Sequence, residues 1–141
     1  MRTYEFWVDG ACSGNQYKGA QPMGGGIVAR CGDWEREWAV PLGDGTNQLA
    51  EILIVSEALG RIKDRAQADV TVYSDSAYAI GCLTKPWKPK ANVEAIHHAK
   101  RLIAECGRFR MLKVAGHSGH TENERADRLA VEAIRQAKAE R

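Results

Sequence analysis

The chain has 141 residues, of which 44% are hydrophobic and 27% are charged, and its formal net charge at pH 7 is +2. This composition excludes a disordered or collagen-like chain and predicts one globular domain over residues 1–141, large enough to bury a core. No apolar run reaches membrane-spanning length, and Arg2 and Glu5 interrupt any signal-like start. A cytoplasmic protein without a membrane partner is therefore expected.

The spacing of the cysteines also favours a cytoplasmic protein. The four cysteines are far apart in the sequence and form no Cys-x-x-Cys pair: Cys12, Cys31, Cys82 and Cys106. Neither a zinc site nor a disulfide framework is expected, and a reducing environment suits such a chain.

The first half of the chain predicts an antiparallel meander followed by a helix. Tyr4, Phe6 and Val8 alternate with other side chains in a strand that delivers Asp9 to the edge of a sheet. After it we predict a loop over 16–23, strands over 27–31 and 34–40, and a helix that Thr46 or Asn47 caps.

The second half predicts strands that are connected by helices. We expect a strand over 70–74, a helix from 76 to about 83, and a loop over 84–91. A helix capped by Asn92 should continue to about 106, followed by a strand over 109–114 and a loop over 116–120. The last helix should extend from 121 to about 137, with residues 137–141 frayed. A meander followed by helix-connected strands predicts an α/β fold, a mixed sheet with helices on both faces.

Four carboxylates can meet at one edge of this sheet. If the first and fourth strands are parallel neighbours, Asp9 and Asp75 lie at the same edge, where ligands of α/β sheets bind. The preceding helix then begins there, with Glu51 in its first turns. Asp127, six residues after Thr121, can reach the same opening from the last helix.

Acids that meet in this way raise one another's pKa, and a divalent cation supplies the compensating charge. Oxygen ligands without a Cys or His cluster favour Mg²⁺ or Mn²⁺ over Zn²⁺. Each acid also has an ordinary explanation: a turn at Asp9, a helix cap at Asp75, and surface charge at Glu51 and Asp127. Their joint placement is harder to explain in those terms.

Five motifs, in this order along the chain, resemble type 1 ribonuclease H. They are DGACSGN at 9–15, TNQLAE at 46–51, SDS at 74–76, GHSGH at 116–120 and NERAD at 123–127. The resemblance implies a five-stranded ribonuclease H-like sheet of order 3-2-1-4-5. It also implies Mg²⁺-dependent cutting of the RNA strand of an RNA–DNA hybrid, leaving 5′-phosphate and 3′-hydroxyl ends.

The resemblance also assigns roles. The four metal-binding carboxylates of the family fall on Asp9, Glu51, Asp75 and Asp127, which would hold two Mg²⁺, with Mn²⁺ as a substitute. Two ions about 3.5–4 Å apart activate water and stabilise a leaving oxygen. Asp9 would bridge them, Glu51 and Asp75 would serve the leaving 3′-oxygen, and Asp127 would serve the attacking water. His117 falls on the family's loop histidine, which assists proton transfer or product release; its alternative is a loop histidine with no task.

Recognition of the hybrid is expected to use its 2′-hydroxyls, which distinguish RNA from DNA. Positions that match the family's contacts to the RNA strand are Cys12, Ser13, Gly14, Asn15, Asn47 and Gln48. Thr46 and Asn92 match a pocket for a phosphate of the DNA strand. Where some relatives have an arginine before that threonine, this chain has Asp44-Gly45, which weakens the pocket as a clamp.

The connector between Leu83 and Asn92 departs from the pattern of relatives that insert a basic helix and loop there. It retains Trp87, which could stack on a DNA sugar, and three lysines that could meet phosphates: Lys85, Lys88 and Lys90. A proline-stiffened linker with solvated lysines is the alternative. Either way, we expect weaker hybrid affinity than in relatives with the longer insertion, and a steep salt dependence.

Two other functions are compatible with the sequence. The chain could be a non-catalytic nucleic-acid-binding domain on the same fold. It could also be another nuclease of the same superfold, although the Asp-x-Glu start of the exonucleases is absent because Gly10 and Ala11 follow Asp9. A monomer is expected.

Overall fold

The computed structural model describes residues 1–14, 21–114 and 121–140. The elements in these ranges are β1 (Arg2–Cys12), β2 (Gln21–Cys31), β3 (Trp34–Gly45), α1 (Asn47–Gly60), β4 (Ala68–Ser74), α2 (Ala77–Thr84), α3 (Val93–Glu105), β5 (Arg108–Lys113) and α4 (Thr121–Ala139). The strands form one sheet in the order β3-β2-β1-β4-β5, so the predicted order is confirmed and β1 is central.

The sheet is mixed, as predicted. β1, β2 and β3 pair antiparallel, whereas β4 runs parallel to both β1 and β5. Trp7 is level with Tyr73 in the parallel pair, so the chain reaches Asp9 and Asp75 at the same edge of the sheet. We call this edge the acidic rim.

Side chains of β1 point alternately to two helical layers. Phe6 and Val8 belong to the main core, which includes residues of α1 and α3. Trp7 packs with Val28 and with Ala126 of α4 on the opposite face. Because side chains alternate along a strand, Asp9 projects toward α4, like Trp7.

β2 and β3 are longer than the sequence predicted. β2 begins at Gln21 rather than at residue 27, and β3 continues to Gly45 rather than ending at residue 40. The prediction was misled by Gly24-Gly25-Gly26, because glycine ordinarily weakens a strand.

These glycines are where helices approach the sheet closely. A β-carbon at Gly24 would lie 2.6 Å from the carbonyl oxygen of Ala130, and one at Gly26 would lie 2.8 Å from the β-carbon of Leu129. Both partners belong to α4. Glycine at these positions therefore lets α4 lie directly on β2.

The remaining boundaries differ by one or two residues. β4 begins at Ala68, β5 ends at Lys113 and α4 continues to Ala139. The 3₁₀ turn Arg65–Gln67 was not predicted. All four cysteines are free, as expected. In the described ranges, no helix combines the length and apolarity that crossing a membrane would require.

Candidate active site

The acidic rim brings Asp9 and Asp127 into direct contact. The two side chains are close enough that their contact is one of the causes of a raised pKa at Asp9. Burial is the main cause that raises the pKa of Asp9 from 3.8 to about 8. The hydrogen bond to Asp127 raises it further, as do the charges of Asp75, Asp127 and Glu51.

Glu51 reaches the rim because α1 begins there. A β-carbon at Gly10 would lie 2.7 Å from the backbone nitrogen of Glu51, so the missing side chain lets α1 rest against the end of β1. Burial also raises the pKa of Glu51, and the charge of Asp75 adds to this effect. A hydrogen bond from Ser76 acts in the opposite direction.

The start of α4 is attached to β3 by Arg125, two residues before Asp127. The guanidinium group of Arg125 donates to Glu35 at 3.0 Å and to Glu37 at 2.8 Å. With the close contact between α4 and Gly26, this clamp holds the first turns of α4 over the sheet. Asp127 is thereby placed above Asp9.

The donor set fits a divalent cation of the Mg²⁺ type. It consists of carboxylate oxygens only. Burial, and after it the neighbouring acids, raise the pKa of Asp9, because no positive charge compensates its ionised form. In residues 1–14, 21–114 and 121–140, no three such side chains already stand at metal-ligand spacing. Asp9 and Asp127 are nonetheless in side-chain contact, and a cation between such acids would supply the missing positive charge.

The predicted contacts to the RNA strand are partly used inside the protein. The backbone N–H of Cys12 donates to Oδ1 of Asn47 at 2.7 Å, and the N–H of Ser13 donates to the carbonyl of Pro22 at 2.9 Å. These two backbone amides therefore already have partners inside the protein. The thiol of Cys12 also donates to the carbonyl of Gly45 at 3.2 Å.

Asn47 is consequently oriented for donation. Its oxygen accepts from Cys12, while the described residues provide no partner for its Nδ2 group. The cap of α1 is Thr46 and not Asn47, because the hydroxyl of Thr46 accepts from the N–H of Leu49 at 3.2 Å. Asn47 is an exposed residue, so its amide group is accessible to a ligand. Gly14, two residues after the end of β1, is also exposed.

The connector forms one wall of a cavity of about 340 Å³ beside α2. Gln48, Trp87 and Lys88, three predicted contact residues, line it together with Tyr78. Trp87 is 48% exposed, and its ring lies against Gly81, where a β-carbon would come within 2.7 Å of the ring.

Asn92 occupies the N-cap position of α3 but does not cap it with its side chain. Its backbone is left-handed, with φ of 57°, and its Nδ2 group donates to the hydroxyl of Tyr78 at 2.9 Å. The predicted N-cap position is confirmed, but the side chain makes no capping hydrogen bond, because the left-handed backbone of Asn92 differs from the extended conformation of a capping residue. This bond attaches the end of the connector to α2.

Two predicted site residues, Asn15 and His117, lie outside the described residues. Sequence reasoning missed three residues that support the site: Gly10 as the seat of α1, Arg125 as a clamp, and Ser76 as a donor to Glu51. The position of Ser76 beside Asp75 in the SDS motif was the only signal for its role.

Comparison with known proteins agrees with this geometry. Residues 1–135 match the family model described as RNase H. Relatives named Ribonuclease H include one from Syntrophomonas wolfei, 38% identical over 96% of this chain and 98% of its own, and one from Agrobacterium fabrum, 37% identical over 92% and 93%.

A crystal structure of RNase H1 from Halobacterium salinarum superposes with a TM-score of 0.79, at 27% identity, over 95% of this chain and 98% of its own. The chain therefore belongs to the ribonuclease H family, enzymes that hydrolyse the RNA of RNA–DNA hybrids.

Proposed function

We propose that Asp9, Glu51, Asp75 and Asp127 form the catalytic centre of an endonuclease that cuts the RNA strand of hybrids and leaves 5′-phosphate and 3′-hydroxyl ends. The observation that carries this proposal is the convergence of these acids at Asp9. Burial first, and then Asp127, Asp75 and Glu51, raise the pKa of Asp9 to about 8. A chain that only bound nucleic acid would gain nothing from burying acids where phosphates approach.

The four acids would hold two Mg²⁺, with Mn²⁺ as a substitute. The ions supply activation of water and charge compensation at the leaving oxygen. Asp9 is the proposed shared ligand because it lies on the central strand β1 and its pKa responds to the other three acids. Glu51 and Asp75 would lie on the side of the leaving 3′-oxygen, and Asp127 on the side of the water. His117 would move a proton or help to release product.

Recognition of RNA would depend on amide donors at the start of α1. The Nδ2 group of Asn47 is directed outward by its bond to Cys12, and Gln48 follows it. A donor suits a 2′-hydroxyl, which a DNA strand lacks. Because such contacts read the sugar rather than the base, cutting should show little sequence preference. Ser13, Gly14 and Asn15 would contribute from the loop.

The DNA strand would lie against the connector. Trp87 offers an exposed ring for stacking, and the exposed Lys88 offers charge to a phosphate. Thr46 and Asn92 would contribute to a phosphate site near the starts of α1 and α3. We also propose a monomer that works in the cytoplasm, a reducing compartment that suits four free cysteines.

The decisive experiment is cleavage of a labelled RNA–DNA hybrid in Mg²⁺ by the wild-type protein and by Asp75→Asn. The loss of an outer-shell partner costs a metal enzyme about 10- to 100-fold, so loss of a ligand should lower the rate by more than 100-fold. Asp33→Asn, the same change at an exposed turn far from the rim, is the matched control and should cut normally.

Duplex DNA, duplex RNA and a four-way junction complete the substrate panel. Cutting of the hybrid alone supports the proposal. A wild-type protein that binds the hybrid tightly without Mg²⁺ and never cuts it would contradict the proposal, as would equal rates for wild type and Asp75→Asn.

A further inference from the structure

The hydroxyl of Ser76 lies between helix α2 and the carboxylate of Glu51. Its oxygen is 2.6 Å from Oε2 of Glu51 and 3.0 Å from the backbone nitrogen of Ala79. Ser76 is 6% exposed, so water competes little for either bond. One buried hydroxyl therefore joins the N-terminus of α2 to an acid of the rim.

The direction of both hydrogen bonds follows from counting protons. The N–H of Ala79 donates to Oγ of Ser76, so the hydroxyl acts as the N-cap of α2. A hydroxyl has a single proton, and this proton is then directed to Glu51. The separation of 2.6 Å is typical of an O–H donor bonded to an ionised carboxylate.

Both ends of this bond are held in place. The backbone N–H of Ser76 donates to the hydroxyl of Ser74 at 3.0 Å, and Ser74 is itself buried. On the other side, the close approach of α1 to Gly10 fixes the backbone of Glu51. The Glu51 carboxylate is thus limited in its rotation, and the described residues provide no hydrogen-bond donor to its Oε1.

We propose that Ser76 is a positioning residue, which retains Oε2 of Glu51 by hydrogen bonding and leaves Oε1 alone to bind a divalent cation. This inference rests on the metal-binding role of Glu51 in the proposed function. Ser76 does not touch the substrate. It acts through Glu51, as the partners of metal ligands commonly do when they fix the orientation of a carboxylate.

The test measures Mn²⁺ binding without any substrate, from the electron paramagnetic resonance signal of the free ion. Wild type, Ser76→Gly, Ser76→Thr and Asp75→Asn are titrated at one pH. Glycine at an N-cap nearly preserves helix stability but has no hydroxyl. We expect about tenfold weaker Mn²⁺ binding for Ser76→Gly, whereas Ser76→Thr should stay within about twofold of wild type.

Urea unfolding of the same variants separates positioning from capping. If the hydroxyl only caps α2, Ser76→Gly binds Mn²⁺ like the wild type, and the inference is overturned. Wild-type affinity in Ser76→Gly together with weak binding in Asp75→Asn would refute the role of Ser76 while leaving the metal site intact. Failure of the wild type to bind Mn²⁺ or cut a hybrid would instead refute the proposed function itself.

Discussion

At the scale of single residues, the raised pKa of Asp9 makes the stability of the folded chain depend on pH. Its pKa of about 8 lies far above the usual 3.8, so the folded chain retains a proton there that the unfolded chain has released. Between these two values the folded state binds more protons. Stability must therefore fall as the pH rises through this window.

The first prediction concerns the pH dependence of stability when EDTA removes divalent cations. The free energy of unfolding of the wild type should be lower at pH 8.5 than at pH 5.5 by a few kcal/mol, since one pKa unit corresponds to about 1.4 kcal/mol. The raised pKa of Glu51 acts in the same direction. Urea unfolding at the two pH values measures the difference.

Asp9→Asn is the matched variant for this prediction, because it has the same size and no charge. It should lose most of the pH dependence, be more stable than wild type at pH 8.5, and fail to cut a hybrid. Mg²⁺ should restore stability at pH 8.5 to the wild type only. A wild type that gains stability between pH 5.5 and 8.5 in EDTA would contradict the electrostatic picture of the rim.

At the scale of elements, the site depends on how closely two helices approach the sheet. α1 rests on Gly10 at the end of β1, and α4 rests on the glycines of β2. Arg125 then attaches the first turns of α4 to β3. The two helices carry Glu51 and Asp127, so their heights above the sheet determine whether the four acids can meet.

Gly10→Ala tests this dependence. The added carbon would overlap the backbone of Ala50 and Glu51, so α1 must move away from β1. A displacement near 1 Å can reduce catalysis about 100-fold, and forcing a group into a packed interface costs about 1–3 kcal/mol. Hybrid cleavage and urea unfolding measure the two effects.

Gly60→Ala is the control in the same helix. A β-carbon at Gly60 meets no atom within 4 Å, and alanine is the better helix former. This variant should keep normal cleavage and equal or higher stability. If Gly10→Ala behaved like Gly60→Ala, the contact between α1 and β1 would not be what positions Glu51.

At the scale of the whole molecule, the formal net charge is only +2, so binding of a nucleic acid must depend on local groups of positive charge. The connector supplies exposed lysines and an exposed Trp87 ring, which is held against Gly81 and lies 5.3 Å from the Lys85 ammonium group. A short connector of this kind should bind a hybrid weakly at physiological salt.

A pair of variants separates charge from stacking in the connector. In an Asp75→Asn background, which should not cut, hybrid affinity is measured from 50 to 200 mM salt. Lys88→Ala should reduce the slope of log affinity against log salt by about one. Trp87→Ala should weaken binding about tenfold without changing the slope. Unchanged affinity and slope in both variants would mean that the connector is only a linker.

What the sequence determined by itself is the local chemistry and the order of the elements. Strand periodicity and capping residues placed nearly every element within a few residues. The meander followed by helix-connected strands indicated a mixed sheet with helices on both faces. The spacing of Asp9, Glu51, Asp75 and Asp127 placed each acid at a strand end or in the early turns of a helix, because these positions follow from local periodicity.

Contacts between segments that are distant in sequence became apparent only in the folded chain. The glycines of β2 look like strand breakers in the sequence, but α4 lies directly on them in the fold. Asn92 begins α3 as expected, but its amide group bonds to Tyr78, which the sequence did not indicate. Ser76 looks like a simple helix cap in the sequence, but in the fold its hydroxyl also donates to Glu51, which lies 25 residues earlier in α1. Local sequence encodes which conformations a segment prefers, whereas these roles depend on which partner packs against it.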